Sequence, residues 1–146
     1  MTTIHSYLSS DHRHCDESLA NIEVAVLKKR WDEVLFYSKQ FNNEMNRHFF
    51  CEETILFPAF ENAIGMTSGP TVVMRMEHIK IREMLEQIPE MVLNKNSDRL
   101  LGITETLMIF IQQHNNKEEQ MLYNMCDMHL SIQAEDLITN MKNVQR

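Results

Sequence analysis

Apolar residues recur along this chain at alternating steps of three and four, the seam period of helices packed against one another. Four long segments carry the rhythm. A first helix is predicted over about 10–28, with the stripe Leu8, His12, Cys15, Leu19, Ile22 and Val26. A second, about 32–63, reads Val34, Ser38, Phe41, Met45, His48, Glu52, Ile55 and Ala59. A third, about 71–93, reads Met74, His78, Ile81, Leu85, Ile88 and Val92. The fourth, about 98–127, reads Leu100, Thr104, Leu107, Ile111, His114, Glu118, Met121 and Met125. Ser9, Ser10 and Asp11 offer a start for the first helix, and Asp32 caps the second. Breaks fall at Gly65–Pro70 and Asn94–Asp98, and Pro58 and Pro89 should kink or end their helices. After Ser131 a short amphipathic segment follows, with Ile132, Leu137, Ile138 and Met141 on its apolar side.

The stripes are apolar except at a few matching places. His12 and His78, His48 and His114, and Glu52 and Glu118 are each 66 residues apart, and the stripes repeat at that offset. The run His48–Phe57 aligns with His114–Tyr123, and Asp11-His12 aligns with Glu77-His78, the pattern of a duplicated helical hairpin. His12 and His48 lie equally far from the first turn, near position 30; His78 and His114 lie equally far from the third, near position 96. At a rise of about 1.5 Å per residue, each imidazole stands about 27 Å from its turn, so all four meet at one level. Each Glu follows a His by four residues and shares its helix face. Four imidazoles and two carboxylates therefore converge in the interior, towards the end away from those two turns.

Composition narrows the field. With 146 residues the chain has the length of a single domain. Three Gly and three Pro are too few for a many-stranded β fold. A formal charge of −7 disfavours nucleic-acid binding. The longest apolar run, Leu107–Ile111, cannot span a bilayer, and the N-terminus shows no secretory pattern. Cys15, Cys51 and Cys126 form no CxxC pair, which suggests a reducing, cytoplasmic compartment.

Two Glu on core stripes beside four His would be costly to bury without compensation, and a metal supplies the positive charge. Imidazole with carboxylate suits iron, manganese or zinc. Six ligands exceed one tetrahedral zinc but suit two metals, each holding two His and sharing two bridging Glu, a ligand type that helix bundles use for di-iron and di-manganese centres. The metal-ligand candidates are His12, His48, Glu52, His78, His114 and Glu118.

With its Asp-His, its isolated Glu-His and two His-x-x-x-Glu-Glu-x-x-Leu-aromatic motifs, the first followed by Pro58, the chain resembles the hemerythrin-like (HHE cation-binding) family over about 8–127. That resemblance implies an all-α, up-down-up-down antiparallel four-helix bundle with a short C-terminal helix in about 130–146. It also implies a non-haem centre of two iron ions, oxo- or hydroxo- and carboxylate-bridged. The positions four residues from His78 are Met74 and Arg82, and the last motif ends in Glu118. This four-His, two-Glu set is more similar to the iron-centre repair proteins of nitrosative stress than to the five-His oxygen carriers.

Other residues carry two readings. His14 points off the stripe and reads as exposed; His5 precedes the first helix, and His129 follows the fourth as a surface residue. Glu53 and Glu119 could accept from ligand imidazoles, although a solvated face is the expected reading. Asp11 and Glu77 either orient an imidazole or sit as exposed charges near helix starts. Asp16 and Arg82, at equivalent positions, could pair across the bundle. Cys15 reads as a small buried hydrophobe, while Cys51 and Cys126 have no placement on a stripe.

Three functions fit. The first is a di-iron protein that binds or reacts with O2, peroxide or NO, in sensing or stress response, with an electron donor. The second stores iron or donates it to damaged iron–sulfur proteins. The third is a structural bundle secured by its metal. No nucleophile–base–orienter set is readable, so a hydrolase is not expected.

Overall fold

In the computed structural model, which describes residues 2–144, the elements are helical throughout. The first bundle helix, α1, runs Ile4–Leu27. It begins six residues earlier than the Ser9–Asp11 signal suggests. Thr3 forms a capping box with Ser6, and the Asp127 carboxylate accepts from the Ile4 and His5 backbone N–H groups at 2.8 and 3.1 Å. That second cap comes from a residue more than 120 positions away in the chain, so local sequence does not display it.

The second bundle helix is composite: α2 Trp31–Cys51, a π-helical turn Glu52–Leu56, then α3 Phe57–Ile64, closed by Gly65 at φ +68°. The third is α4 Pro70–Leu85 followed by α5 Ile88–Leu93, with Pro89 in the first turn of α5. The fourth repeats the second: α6 Ser97–Lys117, a π-turn Glu118–Leu122, and α7 Tyr123–His129. A short α8, Ala134–Lys142, packs across the first π-turn and α1. Adjacent helices in sequence are neighbours in space, and α1 also packs on α6 and α7, which closes the antiparallel up-down bundle. No helix among the described residues is long and apolar enough to cross a membrane.

All four stripes are buried up to the π-turns, and there two of them change register. Beyond Glu52 the buried residues are Leu56, Phe57 and Phe60, not Ile55 and Ala59. Beyond Glu118 they are Leu122, Tyr123 and Cys126, while Met121 is 56% exposed. A π-turn holds one extra residue, so every position after it moves one step around the helix. Proline does not explain it, because Asn124 stands where the first repeat has Pro58, and the π-turn persists. The same shift buries Cys126, and Cys51 is buried as well. In the C-terminal segment Leu137, Ile138 and Met141 are buried as expected, but Ile132 lies in the preceding turn, 97% exposed. Residues 145 and 146 of that segment lie outside the described residues.

The core divides into two clusters. One, on the side of the 28–30 and 94–96 turns, contains Leu19, Ile22, Phe41, Leu85, Leu107 and Ile111 among others. The second holds Leu8, Leu56, Phe60, Met74, Leu122 and the buried face of α8. Each bundle helix passes from one cluster to the other at its polar stripe residues: His12, His48 with Glu52, His78, and His114 with Glu118. The polar layer is thus enclosed between two apolar cores. Arg47 helps to hold α8 in place, donating to the backbone carbonyls of Met141 at 2.9 Å and Val144 at 3.1 Å.

Candidate metal centre

All six sequence-predicted site residues meet in this layer, each with no more than 3% of its surface exposed. Glu52, His78, His114 and Glu118 bring one ligand atom each within 4.8 Å of the others, and His12, His48 and Glu118 do the same. The carboxylates straddle the two groups. Glu52 Oε1 lies 3.4 Å from His48 Nε2 and 3.1 Å from His78 Nε2. Glu118 Oε1 lies 3.1 Å from His12 Nε2 and 3.3 Å from His114 Nε2.

Every imidazole is held from behind. His12 Nδ1–H donates to Glu119 at 2.8 Å, and His48 Nδ1–H donates to Asp11 at 2.7 Å. His78 Nδ1–H donates to Glu53 at 2.7 Å, and His114 Nδ1–H to Glu77 at 2.8 Å. Fixing the proton on Nδ1 turns the Nε2 lone pair inward, the arrangement that metal-binding histidines use. Glu53 and Glu119 are therefore not a solvated face. In the wider π-turn, successive side chains rotate by less than the α-helical ~100°, so the residue after each inner Glu stays close enough to reach the next helix. Asp11 and Glu77 take the orienting role. Arg82 forks onto Glu53 at 2.9 and 3.0 Å and does not pair with Asp16.

The π-turns free backbone carbonyls, and these are used. His5 Nε2–H donates to Glu119 O at 2.9 Å, and Arg75 reaches Glu53 O at 3.4 Å. His5 is thus inside α1 and braces the second motif, as no local pattern indicates. His14 is half exposed, its Nε2 3.2 Å from Glu44, and His129 is exposed at the end of α7.

One residue escapes the sequence reading. Tyr123 is fully buried, its O–H donating to Glu52 Oε2 at 2.7 Å. The same oxygen lies 3.0 Å from Glu118 Oε1, 3.1 Å from His12 Nε2 and 3.4 Å from His48 Nε2. The available signal is the motif alignment, in which Tyr123 stands where the first repeat has Phe57. Phe57 stacks on His78 with centroids 5.7 Å apart, as Tyr123 does on His12 at 5.5 Å.

The donor set fits a cation. Glu52 Oε1, Glu118 Oε2, His78 Nε2 and His114 Nε2 are buried without a hydrogen-bond partner among the described residues. The Nε2 atoms of His12 and His48 face each other at 3.0 Å. Lone pairs so placed repel unless a proton or a metal lies between them. Burial opposes charging His12, but Glu118 and Glu119 raise its pKa. Burial likewise opposes charging His114, yet Glu118, Glu52 and Glu77 bring it to about 9. Burial pushes the Tyr123 phenol well up, and the two inner carboxylates add to it.

The hemerythrin HHE cation-binding domain family model matches residues 3–126. An uncharacterized hemerythrin-like protein of Schizosaccharomyces pombe is 30% identical over 132 residues, covering 90% of this chain. The chain spans 63% of the length of that relative. No solved structure matches the chain. With this match over most of its length, and a buried histidine–carboxylate layer inside a four-helix bundle, the chain belongs to the hemerythrin HHE cation-binding domain family.

Proposed function

We propose that this chain is a non-haem di-iron protein whose centre binds or reacts with O2, peroxide or nitric oxide, in sensing or in oxidative or nitrosative stress response. The observation that carries the reading is the pair of inner carboxylates, each placed between a histidine of one group and a histidine of the other. Two metal positions sharing Glu52 and Glu118, with His12 and His48 on one and His78 and His114 on the other, would use all six of these side chains. Charge supports two ions. Six carboxylates surround the layer, and Arg82 and Lys117 pair directly with two of the outer ones, leaving a formal charge of four negative that two divalent cations balance. Nitrogen and carboxylate donors without thiolate, in a helix bundle, favour iron over structural zinc.

Iron bound there would supply one-electron chemistry and coordination positions for a small ligand, with electrons from an external donor. The chain's own part is to hold the imidazoles by their Nδ1 atoms, keep the carboxylates ready to shift between metals, and exclude bulk water with an apolar core on each side. Anaerobic iron loading followed by elemental analysis tests the reading: about two irons per chain are expected. One tightly bound zinc, or no iron retained, refutes it. Stopped-flow mixing of the diferrous protein with O2 should give diferric protein with near-ultraviolet absorption. Return of the diferrous spectrum under argon, without reductant, would replace this reading with reversible oxygen carriage.

A further inference from the structure

We propose that the Tyr123 phenol oxygen is itself a metal donor, completing with His12, His48 and Glu118 the shell of one of the two metal positions. The assignment rests on the two-metal reading above. The four donor atoms are already gathered. His12 Nε2 lies 3.0 Å from His48 Nε2 and 3.1 Å from Glu118 Oε1. Tyr123 Oη lies 3.1 Å from His12 Nε2, 3.4 Å from His48 Nε2 and 3.0 Å from Glu118 Oε1. The remaining pair, His48 and Glu118, is within 4.8 Å. A tetrahedron with five edges of this size and the sixth no longer than 4.8 Å has its centre about 1.8–2.5 Å from the corners, a range that includes metal–nitrogen and metal–oxygen bonds of about 2.0–2.2 Å.

The other metal position is built differently. Its donors, Glu52, His78, His114 and Glu118, hold four buried atoms without a hydrogen-bond partner among the described residues, and the Tyr123 phenol touches the two shared carboxylates of this group but neither His78 nor His114. In place of Tyr123 that side has Phe57, which offers a ring and no oxygen. Two halves that match at three ligand positions each therefore differ at a fourth. A phenol buried for packing alone would be served by Phe, as the first repeat shows. Coordination forms a metal–oxygen bond and breaks the phenolic O–H bond; the proton leaves to water, and no electron is transferred.

The test is the full chain loaded with iron and oxidised, read by visible absorption and resonance Raman. A phenolate on ferric iron gives a ligand-to-metal charge-transfer band in the visible, and excitation into it enhances tyrosinate ring modes. Wild type should show both. Tyr123→Phe, which copies the residue of the other repeat, should lose both and bind one of its two irons about tenfold more weakly. Two irons in the wild type with no tyrosinate modes overturns this assignment and leaves the di-iron reading standing, with Tyr123 a hydrogen-bond donor to Glu52. Modes that persist in Tyr123→Phe overturn it as well, by placing the ligand at another tyrosine. A wild-type chain that takes up no iron refutes both readings.

Discussion

Replacing Glu53 separates the residues that would hold the metals from those that aim them. Its carboxylate accepts His78 Nδ1–H at 2.7 Å and both Arg82 nitrogens at 2.9 and 3.0 Å. Burial works against ionisation, but His78 and Arg82 outweigh it and bring the Glu53 carboxyl down to about 2. Glu53→Ala leaves the buried Nδ1–H without an acceptor, a loss of about 1–3 kcal/mol. The ring is then free to rotate its Nε2 away, and metal affinity should fall about 10–100-fold, or about 1.4–2.7 kcal/mol. The part-exposed Arg82 pair adds at most about 1 kcal/mol to folding stability. Glu53→Gln keeps an oxygen acceptor and should recover most of the affinity. Glu52→Ala removes a shared ligand and should cost most. The assay is anaerobic competition for Fe(II) against a chelator, with circular dichroism confirming each fold. A folded Glu53→Ala within about twofold of wild type would refute the positioning role. A loss equal to that of Glu52→Ala would refute the division between ligand and neighbour.

Three further outcomes test the scaffold. Arg47→Ala removes two charged hydrogen bonds to the end of α8, so urea unfolding should show a loss of about 2–4 kcal/mol and proteolysis should speed up near Lys142; unchanged stability would mean that α8 docks by its apolar face alone. Asp127→Ala removes the long-range cap on α1 and should cost about 1 kcal/mol in the same assay, with no change expected if Thr3 caps sufficiently alone. Burial pushes the Cys15 thiol from 9.0 up to about 12, so the fold favours the neutral form: its contribution is whole below pH about 9 and lost as pH rises towards 12. Between pH about 8 and about 10.5, Cys15→Ala should therefore lose about 1–2 kcal/mol less than wild type, and equal slopes would show that Cys15 is not the group responsible.

The stripes, the three turns and the six inward residues were all legible in the sequence, because helical burial writes itself as a period of three and four, and a duplicated hairpin writes the site twice. Leu8 through Val26 and Met74 through Val92 are buried as that period requires. Where the reading broke, one backbone event was responsible. Nothing local distinguishes Glu52–Leu56 or Glu118–Leu122 as π-turns, yet each moves the following residues one step, exchanging Ile55 for Leu56 and Met121 for Leu122 in the core. The outer carboxylates were beyond local reasoning for a related reason. Which acid stands behind which imidazole is a matter of contact between helices: Glu119 reaches His12 across 107 positions of chain, and Asp127 caps a helix 123 positions away. The same holds for Tyr123. Its residue type is visible, but its position among four candidate donor side chains exists only when two helices and two π-turns have packed. A periodic pattern reports which face of a helix is buried; the partner that meets each polar atom on that face is set by the neighbouring helices, whose placement depends on the whole packed core.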